Sequence, residues 1–366
     1  MMKKCFTLLI ALMMPLWIFG DNYSQLWKRV SEANDKDLPK TAYELLQTIA
    51  QKATKEKAYG QLLKAELQAA QTMADISPDS LKPELLRMKQ HGEAAKDEVL
   101  KLVYQTVLYR VSGSNSDFKL DVKKPDLSAA MCEKLAMTKD DSYTPLVIKG
   151  VDAAIFNHDL LHVIGFELDD YQALYDYYNK VGNRRAACIV AASLYRYADT
   201  AKIEAMIQTY KDLPEAGELA IVRYDRIGYG IEHAAERYNY IHQALNQWGK
   251  WPRMNYLRNE ETKITNPQYR VAYDHQRVRP QQAQKVELKE LRNLKTLSMT
   301  VYKVDANGDI EHRPDYEGGY KKIKPLLREV VCQEERTFNE HQPYEFFEDS
   351  LTLKGLPAGV YMIEFK

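Results

Sequence analysis

Apolar residues recur at helical spacing from Tyr23 to about Ile264 and at near-alternate spacing beyond it, so the chain changes character once. In Leu38 to Lys55, Leu45, Leu46 and Ile49 fall on one side. In Ala58 to Ala74, Leu62, Leu63, Leu67 and Ala70 do the same. Two such neighbours predict an antiparallel helix pair. Pro39, Pro78, Pro83, Pro125, Pro145, Pro214 and Pro252 fall between periodic segments, where a missing N–H interrupts no helix. Further on, Tyr171, Tyr175 and Tyr178 make a stripe, and Asn183 to Tyr197 carries Ala186, Ala187, Ile189, Val190 and Leu194. Small residues there let helices approach closely. No strict period of about 34 residues emerges, so the expectation for residues 21–265 is an irregular α-solenoid of tetratricopeptide-like hairpins.

Asn266-Pro267 ends the helical pattern, and Tyr269 to Tyr273 alternates as a first strand before the polar connection Arg277 to Gln284. Val286 to Val304 is β-branched and apolar, with Leu297, Met299, Val301 and Tyr302, and leads to Asn307-Gly308, a strong hairpin signal. At the far end Leu351 and Leu353 alternate with polar neighbours, Gly355 to Gly359 breaks the run, and Val360 to Phe365 resumes it. Residues 266–366 therefore predict an antiparallel β-sandwich. Its last strand reaches the final residues and leaves little sequence to close a second sheet, so the sandwich reads as incomplete. The fold class is α+β, in several domains.

The first twenty residues add a third segment. Lys3 and Lys4 precede an apolar run from Phe6 to Phe19 that ends at Gly20, the pattern of a signal peptide. The run is shorter than the roughly 20 residues a spanning helix needs and contains Pro15. The expectation is an exported chain of the periplasm, cell envelope or extracellular space, beginning near Asp21 and not integral to the membrane. Cys5 lies before the run, so it is not a lipidated cysteine. Lys+Arg and Asp+Glu each number 51, which leaves no net field to draw nucleic acid or an anionic surface. Cys132, Cys188 and Cys332 remain after processing, an odd, widely spaced set. One bridge with a spare thiol, or three buried free thiols, are the two readings.

His158-Asp159-Leu160-Leu161-His162 places two histidines at i and i+4, the spacing at which zinc ligands share a helix face. Asp159 is one methylene shorter than the glutamate that serves such sites as base, and only Glu167 offers a third ligand. A zinc-dependent hydrolase there is one reading; paired histidines on or partly beneath a helix surface are the other. Cys332-Gln333-Glu334-Glu335 is close to the Cys-x-Glu-Gln of internal thioesters, but Glu335 has no amide to expel as ammonia. The other reading there is a charged loop or helix end. Asp305, Asn307, Asp309 and Glu311 suggest a calcium loop, yet the glycine is misplaced and position twelve is Tyr316. Gly228 and Gly230 form no phosphate fingerprint. The sequence thus assigns no catalytic, cofactor-binding or metal residue, and the chain reads as no enzyme.

The phrases KVELKELRNLKTLSMTVYKV, YKKIKPLL and SLTLKGLPAGVYMIEF resemble the first macroglobulin-like domain of large bacterial alpha-2-macroglobulin family proteins. DLPKTAYELLQTIAQKATKEKAYGQLLKAELQAA, DLLHVIGFE, GNRRAAC, YKDLPEAGELAI and WPRMNYLRN look like the helical extension before that domain in Bacteroidetes-type members. The resemblance implies an endopeptidase inhibitor that traps proteases by cleavage of a bait segment and collapse around the attacker. It carries over no functional residue, because bait and thioester would lie downstream of Lys366. The implied partners are proteases, through the full-length assembly. A solenoid face that binds an envelope protein is the alternative.

Overall fold

The computed structural model describes residues 21–114, 120–272, 278–305 and 317–366. Residues 1–20, which carry the expected signal peptide, and the Asn307-Gly308 turn lie outside the described residues. Helices fill the described chain to residue 265 and antiparallel sheets follow, so the protein is α+β. It divides into two compact units, Met1–Leu219 and Ala220–Lys366.

In the first unit, α1 (Asp21–Asp35), α2 (Pro39–Glu56) and α3 (Tyr59–Ile76) share one apolar cluster built from Leu26, Val30, Leu45, Leu46, Ile49 and Leu62. Pro39 opens α2 at a position whose N–H has no helical partner. Lys57, in the left-handed region at φ 55°, ends it, and the Ala58 N–H returns to the Ala53 carbonyl at 2.9 Å. That tight link lays α3 along α2, as the spacing predicts. Gly60, in the first turn of α3, lies so close to the Tyr143 carbonyl that a Cβ would stand 2.1 Å from its oxygen.

Two further helices, α4 (Leu81–Ala94) and α5 (Glu98–Ser114), are fastened to α3 by one buried carboxylate. Glu66 of α3 is paired with the His91 Nδ1 of α4 at 2.6 Å and accepts the Tyr104 hydroxyl of α5 at 2.8 Å. The bond to Glu66 raises the His91 pKa, against the opposing effects of burial and of Arg87, while Glu84 adds to the rise. The unit continues through α6 (Ala129–Met137), α7 (Leu160–Glu167), α8 (Tyr171–Lys180), α9 (Arg184–Leu194) and α10 (Thr200–Tyr210). Each of these five opens on a Ser, Asp or Asn side chain that accepts an N–H three residues on: Ser128, Asp159, Asp170, Asn183 and Asp199. α11 (Ala216–Tyr224) carries the chain past the division between units.

The second unit holds α12 (Ala234–Trp248) and α13 (Asn255–Thr265), then β1 (Gln268–Ala272), β2 (Gln284–Arg292), β3 (Thr296–Val304), α14 (Glu317–Ile323), β4 (Leu327–Thr337), β5 (Phe347–Leu353) and β6 (Val360–Phe365). The change from helix to strand falls at Asn266-Pro267, yet α12 and α13 compact with the strands. Two three-stranded antiparallel sheets form, in the orders β1-β2-β5 and β4-β3-β6. The run Val286 to Val304 is therefore two strands in different sheets, with the crossing at Asn293, φ 54°. Val286, Leu288, Leu297, Met299, Val301 and Leu351 bury their side chains in one cluster fed by both sheets. Leu291 joins it despite standing three residues from Leu288, because β2 bulges there with Glu290 at φ 53°.

A His whose pKa is raised on folding stabilises the protein when protonated. That stability is whole below about pH 6.5 and is lost as pH climbs through the raised folded value. His91→Gln should remove this part of the pH dependence. Urea midpoints of both proteins between pH 5.5 and 8.5 should converge as pH rises; a constant gap contradicts the assignment.

Candidate functional site

The His158 to His162 stretch does not lie on one helix. α7 begins at Leu160, Asp159 is its N-cap, and His158 stands outside at φ 53°, next to Asn157 at φ 55°. Two consecutive side-chain-bearing residues in this region cost about 1–2 kcal/mol each. They persist because the turn is tied down on both sides. The His158 N–H reaches the Ala153 carbonyl at 2.8 Å, and the His158 carbonyl accepts from Asp140 at 2.9 Å. Lys139 and Asp159 then form an isolated antiparallel bridge. The expectation of a shared helix face fails because Asp159 spends its carboxylate on the cap.

That carboxylate is the centre of a buried cluster. Asp159 Oδ1 accepts from the His162 backbone N–H at 2.9 Å, pairs with His162 Nδ1 at 2.9 Å, and shares the Tyr178 hydroxyl with Oδ2, each at 3.0 Å. Phe156 stacks on the His162 ring, centroids 4.8 Å apart and planes 8° apart. Burial, then the Asp159 charge, pushes the Tyr178 phenol far above its ordinary value, so it acts as a neutral donor. His158 points elsewhere: its Nδ1 stands 3.7 Å from Asp140 Oδ2, beyond hydrogen-bond distance, and neither carboxylate oxygen of buried Asp140 has a hydrogen-bond partner. Glu167, the third residue of the zinc reading, faces Arg110 at 3.1 Å. Among the described residues no group of three or more His, Cys, Asp or Glu is placed to hold a metal ion.

A cavity of about 480 Å³ opens beside this cluster. Asp159, the N-cap of α7, and Tyr178 of α8 line it, with Ile155 and Asn157 from the turn before α7, Val181 from the end of α8 and Arg185 from the first turn of α9. Tyr177 stands at 80° to Tyr178 on the same wall. Arg185 is already engaged, with Nε at 2.8 Å from the fully buried Glu215. Asn183 caps α9 and donates to the Ile155 carbonyl at 2.8 Å, which holds the turn against the helix.

The thiols are free. Burial raises the Cys132 thiol to about 11 and raises Cys188 as well, which suppresses the thiolate a nucleophile requires. Cys332 lies on β4, not on a loop or helix end. It pairs with Val301 while Glu335 pairs with Ser298, so along an extended strand the two are about 10 Å apart and point to opposite faces. A thiol and carboxyl so placed cannot condense. Residues 306–316, which hold most of the acidic loop, lie outside the described residues.

The chain matches no family model, no curated protein and no solved structure. No described helix is long and apolar enough to cross a membrane.

The two histidines should respond differently to replacement. His162→Ala removes a donor from a buried carboxylate and should destabilise by about 1–3 kcal/mol. His158→Ala should cost less, because its buried Nδ1 makes no hydrogen bond and stands 3.7 Å from Asp140. Chemical denaturation measures both, and metal analysis of the wild type should find no stoichiometric zinc. One zinc per chain, lost in either variant, contradicts the structural role.

Proposed function

We propose that the chain is a non-enzymatic N-terminal portion of an exported alpha-2-macroglobulin-like protease trap, with a solenoid-like helical arm leading into a macroglobulin-like β-sandwich. The observation that carries this reading is the pair of three-stranded antiparallel sheets, sharing one apolar core, that follows a long helical run. The strand edges add support. The β4 edge is guarded by Arg328, Glu329, Glu334, Glu335 and Arg336, whereas β6 carries only Glu364, engaged by Tyr302, Tyr320 and Lys366. Among the described residues β6 pairs with β3 alone, so its other edge is the side on which a further strand can add. The geometry of Cys332 and Glu335 agrees with an assembly whose covalent chemistry, where present, lies elsewhere.

The alternative is a module that binds an envelope protein through its helical part. Val151, 94% exposed, and Ile148, on the segment before α7, favour it, since such side chains gain most from a partner.

Under the trap reading the purified exported chain begins near Asp21, leaves a protease active on a large substrate, and incorporates no methylamine. Intact-mass analysis, a protein-substrate assay and labelling read these three outcomes. Stoichiometric protection of the substrate, or an adduct at Glu335, would overturn the placement of trapping and thioester chemistry outside this chain.

A further inference from the structure

Buried glutamates in the first unit each face a cationic or protonatable side chain: Glu66 meets His91, Glu167 meets Arg110 and Glu215 meets Arg185. Asp159 differs. At 3% exposure it has no lysine or arginine within ion-pair distance among the described residues, and its hydrogen bonds come from His162 and from one hydroxyl shared between both oxygens. A carboxylate with these partners has acceptor capacity left, most of all on Oδ2, which accepts from the Tyr178 hydroxyl alone. It lines the cavity rather than the closed core. The guanidinium of Arg185, on the same wall, is spent on Glu215.

The surroundings suit one kind of ligand. Tyr177 and Tyr178, with ring centroids 5.4 Å apart, both line the cavity beside the carboxylate, and aromatic rings attract a compact organic cation. Ile155 and Val181 supply apolar surface for a short stem, and 480 Å³ is ample for one. We propose that this cavity binds a primary alkylammonium group, its charge set against Asp159 and the tyrosine rings and its stem along Ile155 and Val181. The group can come from a free amine or from a lysine side chain of another polypeptide.

Heteronuclear NMR titration of the full mature chain tests this, with n-butylamine, butyrate and n-butanol as probes of equal length, and Nα-acetyl-lysine amide as the side-chain probe. Butylammonium should saturate signals from residues 154–185 and bind about tenfold more tightly than the anion or the alcohol. Tighter binding of the lysine derivative than of butylamine assigns the site to a protein side chain; binding of butylamine at equal or better affinity assigns it to free amines. Val181→Lys places a cation at the exposed rim without disturbing a buried contact and should weaken binding about tenfold with unchanged melting. Asp159→Asn, which keeps a capping oxygen, should also weaken binding about tenfold. If that variant fails to fold, Val181→Lys decides. Equal binding of all three probes, no saturation by any amine at about 10 mM, or full binding by Val181→Lys overturns the proposal.

Discussion

The last carbonyls of α13 have no partners within their own helix, and the way they are satisfied organises everything after residue 265. Arg292, at the end of β2, donates to the Lys263 carbonyl at 2.6 Å and to Gln268 Oε1 at 3.0 Å. Asn293 follows at φ 54° and donates to Ile264 at 2.8 Å and to Pro343 at 3.0 Å. A helix terminus buried without such partners forfeits about 1–3 kcal/mol per group. The same two residues lie where the chain leaves one sheet for the other, so one contact ends the helix, starts β1 beside β2 and aims β3 into its own sheet. Arg292 is costly to hold there. Burial lowers its pKa, its Nε finds no acceptor, and the stack of its guanidinium over Phe346 at 4.5 Å offsets part of that cost.

The second unit repeats the device. Arg237, buried on α12, lies 4.1 Å from the Tyr224 ring and 3.1 Å from Glu260 of α13, while Lys263 holds the other Glu260 oxygen at 2.6 Å. In the first unit Glu66 plays the corresponding part between α3, α4 and α5. Single charged groups with several partners fix the relation of neighbouring helices in each unit, and small residues such as Ala186, Ala187 and Ala191 fill the space between. These networks explain why so many polar residues are buried without implying chemistry.

Much of the fold was legible because its signals are local. Pro39 and Asn266-Pro267 mark helix limits whatever the surroundings, and the α2 stripe is single-faced. The crossing at Asn293 was not legible, since alternation shows which residues face a core and not which sheet they join. The bulge at Glu290 also hid the parity of Leu291. At the candidate site the i, i+4 histidines suggested a helix face, but the spacing of Asp159 from His162 was equally an N-cap signal, shared by Asp170, Asn183 and Asp199 ahead of their own helices. In the sequence Arg292 is one charged residue among others, in KELRNLK. A pattern reading has no means of seeing that its partner is a helix end some 29 residues earlier.

The claim that the end of α13 and β2 form one cooperative element is measurable by native-state hydrogen exchange on the intact chain. In the wild type, amides of residues 262–265 and of the core positions Val286 to Leu291 should open together, with the same dependence on denaturant. In Arg292→Met the helix end should open on its own at lower denaturant while β2 keeps its protection. Independent opening of the two segments in the wild type, or no separation in the variant, would contradict the account.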